Sequence, residues 1–415
     1  MAKPKLALIP AAQGDKFYSV LPSDGVGDFT FARASTGTRI APTGLIEEVA
    51  SGDSRLNYDL LNGKVVNCPH YLLEPAKTNS QPYSEEFSNA SWVKTNVTIT
   101  SNNVISPDGS LNASKMEVTS SSGNIYDPLG GTGDYVFSLF VKYADIQYLR
   151  LRSTGSYAFF DIKNGRLGST INVIDSKIED YGNGWYRCSV VGNNTNSLIQ
   201  IYLSETDNTV TGTGSAYIWG AQFEQGSYPT SYIPTNGQSG GVTRAAESAD
   251  DSGDAATFND SEGVLMAEIS ALSDDLTFRN ITISDGSNSN IIQLRYRSTS
   301  NVLQALLYVG GVGETYGVTL NDITTFSKTA LKYKENDVSF WVNGFEIVVD
   351  TSASTFPNNT LNTLRFERGD GAFDFYGKTR EVQYFDSALT DAQLETLTSW
   401  TSLQEMITSQ LYTNY

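Results

Sequence analysis

The chain has 415 residues, a net charge of −18 and only 18% charged side chains, with Ser, Thr, Asn and Gly making up most of the polar remainder. That length exceeds what one ordinary core can use, so two or three domains are expected, and an apolar share of 39% with 23 Tyr, 19 Phe and 5 Trp is enough to fill them. The lack of Lys and Arg clusters argues against nucleic acid or an anionic membrane surface as partner, and no apolar run approaches the ~18 residues of a membrane-spanning helix.

The first residues, MAKPKLALIPAAQG, superficially resemble a signal peptide, but Pro10 breaks a short apolar run. The expectation is synthesis in a cytoplasm and exit, if any, by another route. Residues 1–82 then read as short strands and turns. DFTFARASTGTRI alternates, and RLNYDLLNGKVV is a strand, an Asn62-Gly63 hairpin turn and a second strand. These look like strands that lean on something else.

From 83 to 236 the alternation becomes regular. Tyr135, Phe137, Leu139 and Val141 share a strand face, Ile199, Ile201 and Leu203 repeat the device, and Tyr217, Trp219, Ala221 and Phe223 repeat it again. Period-2 patterning between Gly, Asn and Asp turns predicts an antiparallel sandwich. Trp92 and Trp185, beside turn residues, read as core anchors. Pro229 and Pro234 end the pairing, while Tyr228 and Tyr232 can pack back on the sandwich. Residues 237–255, rich in Gly, Ser and Asp, read as a linker.

Residues 256–389 predict a second sandwich. Ala330–Lys334, Val338–Val342 and Phe345–Val349 form a meander, with Asn343-Gly344 as a type I′ turn. From 390 the pattern turns helical: Thr390 caps, Gln393 holds the capping-box position, and Leu394 and Leu397 share a face. A seam of Leu397, Trp400, Leu403, Met406 and Ile407 either docks on its own domain or associates with other copies. The fold class is therefore all-β: an N-terminal strand-rich segment, two antiparallel jelly-roll sandwiches and a short C-terminal helix.

The inventory of reactive groups is thin. One histidine, His70, rules against a multi-His zinc site or a His-based triad. Cys68 and Cys188 make no disulfide framework and are expected to be free and buried. GQSGG at 237–241 matches a nucleophile elbow in letters only, since no strand leads into it. The 46 acids keep glycoside hydrolysis open, but the sequence from Glu335 to Phe340 lacks the last acid of a Glu-x-Asp-x-x-Glu motif. Binding remains, and sugars favour aromatic faces flanked by planar polar groups. Trp341, Asn343, Arg365 and Tyr376 alternate out of phase with apolar neighbours and form the candidate glycan platform.

FARASTGTRI, GLIEEVASGDSRLNYD, YLLEPAKTN and SEEFSNASW resemble the N-terminal signature of a group of bacteriophage virion proteins, fibre- or spike-like. PDGSLNASKM, YGNGWYRCSV, AYIWGAQFEQGSYPTSYIPT and VTRAAE resemble the carbohydrate-binding jelly-roll module that follows it, and WVNG with YFDSALTDAQLETL resembles a concanavalin A-like, laminin G-type sandwich. The resemblance implies a non-enzymatic phage surface protein that binds host surface polysaccharide, anchored to other virion proteins through residues 1–82. It also implies a homotrimer and release by lysis. Calcium at a loop rim is compatible with it, with the acidic turn of Asp370 and Asp374 nearest to such a loop, and no other cofactor is expected. A head-decoration or tail protein without sugar binding and a polysaccharide depolymerase are the alternatives.

Overall fold

A computed structural model describes residues 3–129, 131–194 and 198–400. Strands dominate, joined by tight turns, with one helix among the described residues. The turns follow local chemistry. Asn62 and Asn343 take φ of 51° and 50°, and each is followed by a glycine at positive φ, as type I′ turns require.

The middle sandwich packs two six-stranded sheets. In one, Gly133–Tyr143 lies between Gly214–Gln225 and Trp185–Asn194. In the other, Tyr148–Ser153 lies between Ser156–Asp161 and Ile199–Ser204, and Asn124–Asp127 continues beyond. Phe137, Leu139 and Val141 face Leu149, Leu151, Ile199, Ile201 and Leu203 across the core. Trp92 and Trp185 are buried as the sequence predicts, and so are Tyr228 and Tyr232 of the proline-bearing tail.

The second sandwich is built from both ends of the chain. Its large sheet runs Ser248–Asp250, Phe29–Ala32, Lys16–Leu21, Leu6–Gln13, Gly377–Phe385, Glu262–Ala271, Ser327–Lys334, Val338–Val342 and Phe345–Asp350. Against it packs a five-stranded sheet, and Leu6, Leu8, Phe17, Phe29 and Phe31 share one core with Leu265, Ile283, Leu294 and Leu331. Residues 1–82, read as strands that lean on something else, and 237–255, read as a linker, both place strands in sheets. The strand Leu6–Gln13 pairs with Gly377–Phe385, Val242–Arg244 with Lys77–Asn79, and Ser248–Asp250 with Phe29–Ala32. For the strands on the large sheet the reason is apolar, since Leu6, Leu8, Phe29, Phe31 and Ala249 enter the shared core; the Val242–Arg244 and Lys77–Asn79 pair instead buries Arg244 and Asn79.

Where the segments meet lies a buried ionic cluster. Arg33 Nη1 and Arg55 Nε each donate to Glu247 Oε1 at 2.8 Å. Arg55 Nη2 donates to Glu74 Oε2 at 2.9 Å, and Arg244 Nη1 lies 3.0 Å from the same oxygen. Ser231 adds a backbone donor at 2.8 Å and a hydroxyl donor at 2.6 Å to Glu74. FARAST, SRLNYD, YLLEPAKTN, PTSYIPT and VTRAAE each contribute one or two of these residues. Burial would push the Glu74 carboxyl up, but Arg244 and Arg55 outweigh it and hold it at about 2.

Cys188 is buried, but Cys68 is exposed. Cys68 sits where Lys64–Leu73 slips register against Leu56–Leu61 beside Pro69, so the strand bulges outward there.

Candidate functional site

The four residues read from the sequence do not share one face. Trp341 is only 6% exposed. It lies on the outer face of the large sheet among Val264, Met266, Ala330 and Phe385, where Leu389, Leu394 and Leu397 cover it. Its Nε1 donates to Ser339 Oγ at 3.0 Å. The alternation correctly turns Trp341 away from Phe340, yet that face is apolar too, and the helix Asp391–Thr398 closes over it. Asn343 occupies the turn and accepts from Lys328 N at 3.0 Å. Arg365 belongs to Thr363–Arg365 of the opposite sheet, bound to Asp251 at 2.7 Å and Glu367 at 3.1 Å. Tyr376 donates to Asp374 at 2.7 Å, and Asp370 holds Arg368 at 2.6 Å. His70 is buried beside Asn57 and Asp59.

The structure gathers a ring-lined face elsewhere, on the outer side of the middle sandwich. Leu149 and Leu151 point into the core, so Tyr148, Arg150 and Arg152 point away from it. The same phase turns out Tyr157 and Phe159 on one neighbouring strand and Gln200 and Tyr202 on the other. Register then sets two rows across the sheet. Phe159, Arg150, Tyr202 and Asn124 stand opposite one another in the first, and Tyr157, Arg152, Gln200 and Tyr126 in the second.

In the first row the Arg150 guanidinium lies 3.9 Å from the Tyr202 ring centroid, 5.0 Å from Tyr157 and 5.8 Å from Phe159. Partial burial lowers its pKa, and the Tyr202 and Tyr157 phenols oppose that; a guanidinium keeps its charge regardless. Its Nε has no hydrogen-bond acceptor among the described residues. In the second row Arg152 Nη1 donates to Gln200 Oε1 at 3.3 Å, and Gln200 Nε2 donates to Asn124 Oδ1 at 2.8 Å. Tyr126, Tyr148, Arg150, Arg152, Tyr157 and Tyr202 all remain half-exposed.

Two carboxylates border this face, and both carry structural bonds. Asp207 accepts from Ser169 N at 3.0 Å and from Ser169 Oγ at 2.8 Å, pinning a loop to the edge strand Arg166–Ile171. Gly168 permits the contact, because a Cβ there would stand 2.8 Å from Asp207 Oδ1. Asp161 accepts from Gln147 at 2.9 Å and Asn164 at 2.8 Å. Burial pushes its carboxyl up, and the Asn164 and Gln147 bonds outweigh that and hold it below its usual value.

The signal for this face was in the sequence. YLRLRS, SYAFF and IQIY carry the alternation that identified Ile199, Ile201 and Leu203 as core, and the residues between them are the rings and planar polar groups.

No family model matches the chain. No curated protein matches it. Among solved structures, it is similar to the CBM40 module of a Ruminococcus gnavus IT-sialidase bound to α2,3-sialyllactose, with 16% identity and a TM-score of 0.30 over 34% of this chain and 84% of that one. It is also similar to a leech intramolecular trans-sialidase, with 15% identity and a TM-score of 0.30 over 35% of this chain and 24% of that one. A SAP-like pentraxin from Limulus polyphemus matches with 11% identity and a TM-score of 0.28 over 34% of this chain and 72% of that one.

Proposed function

We propose that this protein is a fibre- or spike-like surface component of a bacteriophage particle that adheres to host-cell polysaccharide without cutting it. The observation that carries the binding part is the half-open face where Tyr202 and Tyr157 flank Arg150 over the buried Phe159, beside Arg152, which bonds the buried Gln200–Asn124 pair. Sugars offer C–H patches to rings and paired hydroxyls to planar donors and acceptors, and this face presents both. The phage setting rests on the FARAST, YLLEPAKTN and VTRAAE motifs described above.

The reading is non-enzymatic because the nearest acids, Asp161 and Asp207, are engaged in holding strands and loops. It needs no metal, since Arg, Gln and Asn supply the polar contacts. One open face binds weakly. Copies arranged as a homotrimer on a virion would engage a polymer together, raising avidity by roughly 10²–10⁴.

The test is incubation with purified host capsular or surface polysaccharide. The expected outcome is co-sedimentation with unchanged polymer length, weakened about tenfold (~1.4 kcal/mol) by Tyr202→Ala. Shortened polymer would show a depolymerase instead. Failure to bind any surface polysaccharide, with fragile particles when the protein is deleted, would show a structural head or tail component.

A further inference from the structure

A cleft of about 640 Å³ opens between the middle sandwich and strands from the first 82 residues. One wall is the 56–73 hairpin, with Tyr58, Leu60 and Asn62. The opposite wall is the Asp175–Gly182 edge and the strand after it, with Glu179, Tyr181 and Tyr186. Tyr228 and Pro229 of the tail and Lys378 of the large sheet complete it. At one end the two walls touch backbone to backbone: a Cβ on Gly63 would stand 2.5 Å from Gly182 Cα.

The lining fits a particular chemistry. Its cations already have partners: Lys378 is 2.8 Å from Asp59, Arg39 is 3.0 Å from Glu47, and Arg187 donates to Thr230 O at 2.8 Å and Ser138 Oγ at 3.1 Å. Glu74 and Asp59 are held by arginines in turn. An ionic ligand would have to break the pairs of Lys378, Arg39, Asp59 and Glu74, at a cost that a screened contact does not return, while Arg187 is buried against neutral oxygens and Glu179 stands exposed at the rim. Phenols and rings remain. Burial raises the Tyr228 phenol and pushes Tyr181 up to about 12, so both stay protonated donors at neutral pH. Rings beside hydroxyl donors and acceptors suit a neutral polyhydroxyl ligand, and the cavity falls within the roughly 300–1,000 Å³ that encloses small ligands.

We infer that this cleft is a second binding site, for a short neutral oligosaccharide, on elements separate from the open face of the middle sandwich. It contacts residues from 1–82, from the middle sandwich, from its tail and from the large sheet, so an occupant also ties those parts together. Binding there is linked to stability, because a ligand that requires the assembled walls favours the folded state.

The experiment titrates the full chain with cellotetraose, maltotetraose, xylotetraose and chitotetraose, with trigalacturonic acid as charged control, by calorimetry and thermal unfolding. Tyr202→Ala removes the open face, and Tyr58→Ala with Tyr186→Ala removes the cleft. The expected result is that at least one neutral tetrasaccharide still binds Tyr202→Ala protein and raises its Tm. Adding the cleft substitutions weakens that binding at least tenfold and abolishes the Tm shift. Should the double alanine variant misfold, Tyr58→Phe with Tyr186→Phe removes only the two hydroxyls and is read the same way. Binding that disappears with Tyr202→Ala alone, binding indifferent to the cleft variants, preference for trigalacturonic acid, or silence of all four neutral sugars at millimolar concentration overturns the proposal. The open-face reading fails separately, through Tyr202→Ala having no effect on polysaccharide binding.

Discussion

His70 is the single histidine, and its neighbours fix its protonation. Asn57 Oδ1 accepts from Ile40 N at 2.7 Å, so the Asn57 amide nitrogen is the atom 3.2 Å from His70 Nε2. Nε2 must therefore accept, which leaves the proton on Nδ1, 3.5 Å from Asp59 Oδ2. Asp59 is held in turn by Lys378 at 2.8 Å and Arg380 at 3.0 Å. Burial lowers the His70 pKa, and Asp59 only partly opposes it. With the folded value below the unfolded one near 6.5, the unfolded chain binds more protons as pH falls, so this group's contribution is lost below pH 6.5. Asp250, raised by burial to about 6, acts with the opposite sign. Only the difference between wild type and His70→Gln isolates the histidine. Urea unfolding at pH 7.5 to 5 should show the wild-type advantage shrinking below pH 6.5 by up to ~1.4 kcal/mol per unit. A constant difference would mean that folding leaves the His70 pKa unchanged, and an advantage that grows as pH falls would mean that His70 is charged in the fold.

At the scale of elements, the helix Asp391–Thr398 shows what packing adds to pattern. Thr390 and Gln393 form the reciprocal capping box that the sequence predicts, and Leu394 and Leu397 are buried. Their partner is Trp341, so the indole is an anchor for the helix. Trp341→Ala should cost about 3–5 kcal/mol in urea unfolding and leave polysaccharide binding of the remaining folded protein unchanged. Lost binding with full stability would restore Trp341 as a ligand contact. The meander, the Asn343-Gly344 turn and the cap were all legible, because each depends on residues adjacent in sequence. Which layer covers a face was not. Alternation places Trp341 opposite Phe340 and Tyr202 opposite Ile201 with equal clarity, yet a helix covers the first and the second stays half-open. The strand Leu6–Gln13 was equally opaque, since its partner Gly377–Phe385 lies at the far end of the chain.

Across the whole molecule, the two sandwiches are joined by more than a linker. Arg33, Arg55 and Arg244 surround Glu74 and Glu247 with almost no solvent exposure on any of the five side chains. Such a cluster is not a large net source of stability, because desolvating the charges offsets most of their attraction. Its effect is on specificity. Each group is tolerable only while the others are in place, so the 1–82 segment, the tail at Ser231 and the stretch bearing Arg244 and Glu247 must assemble together. Removing one member exposes that interdependence. Glu247→Gln leaves Arg33 and Arg55 without their shared counter-charge in a site with almost no solvent exposure, which should cost about 3–5 kcal/mol. By contrast, Arg39→Ala breaks the exposed pair with Glu47 and should cost under about 1 kcal/mol. The loss in Glu247→Gln should also be local before it is global. Limited proteolysis should cut the variant faster around the exposed 236–240 stretch, giving pieces 1–236 and 237–415 that stay associated through the strands residues 1–82 place in the large sheet. Equal urea midpoints and equal cleavage rates for wild type and Glu247→Gln would mean that the apolar strands alone join the two sandwiches and the arginine cluster is dispensable.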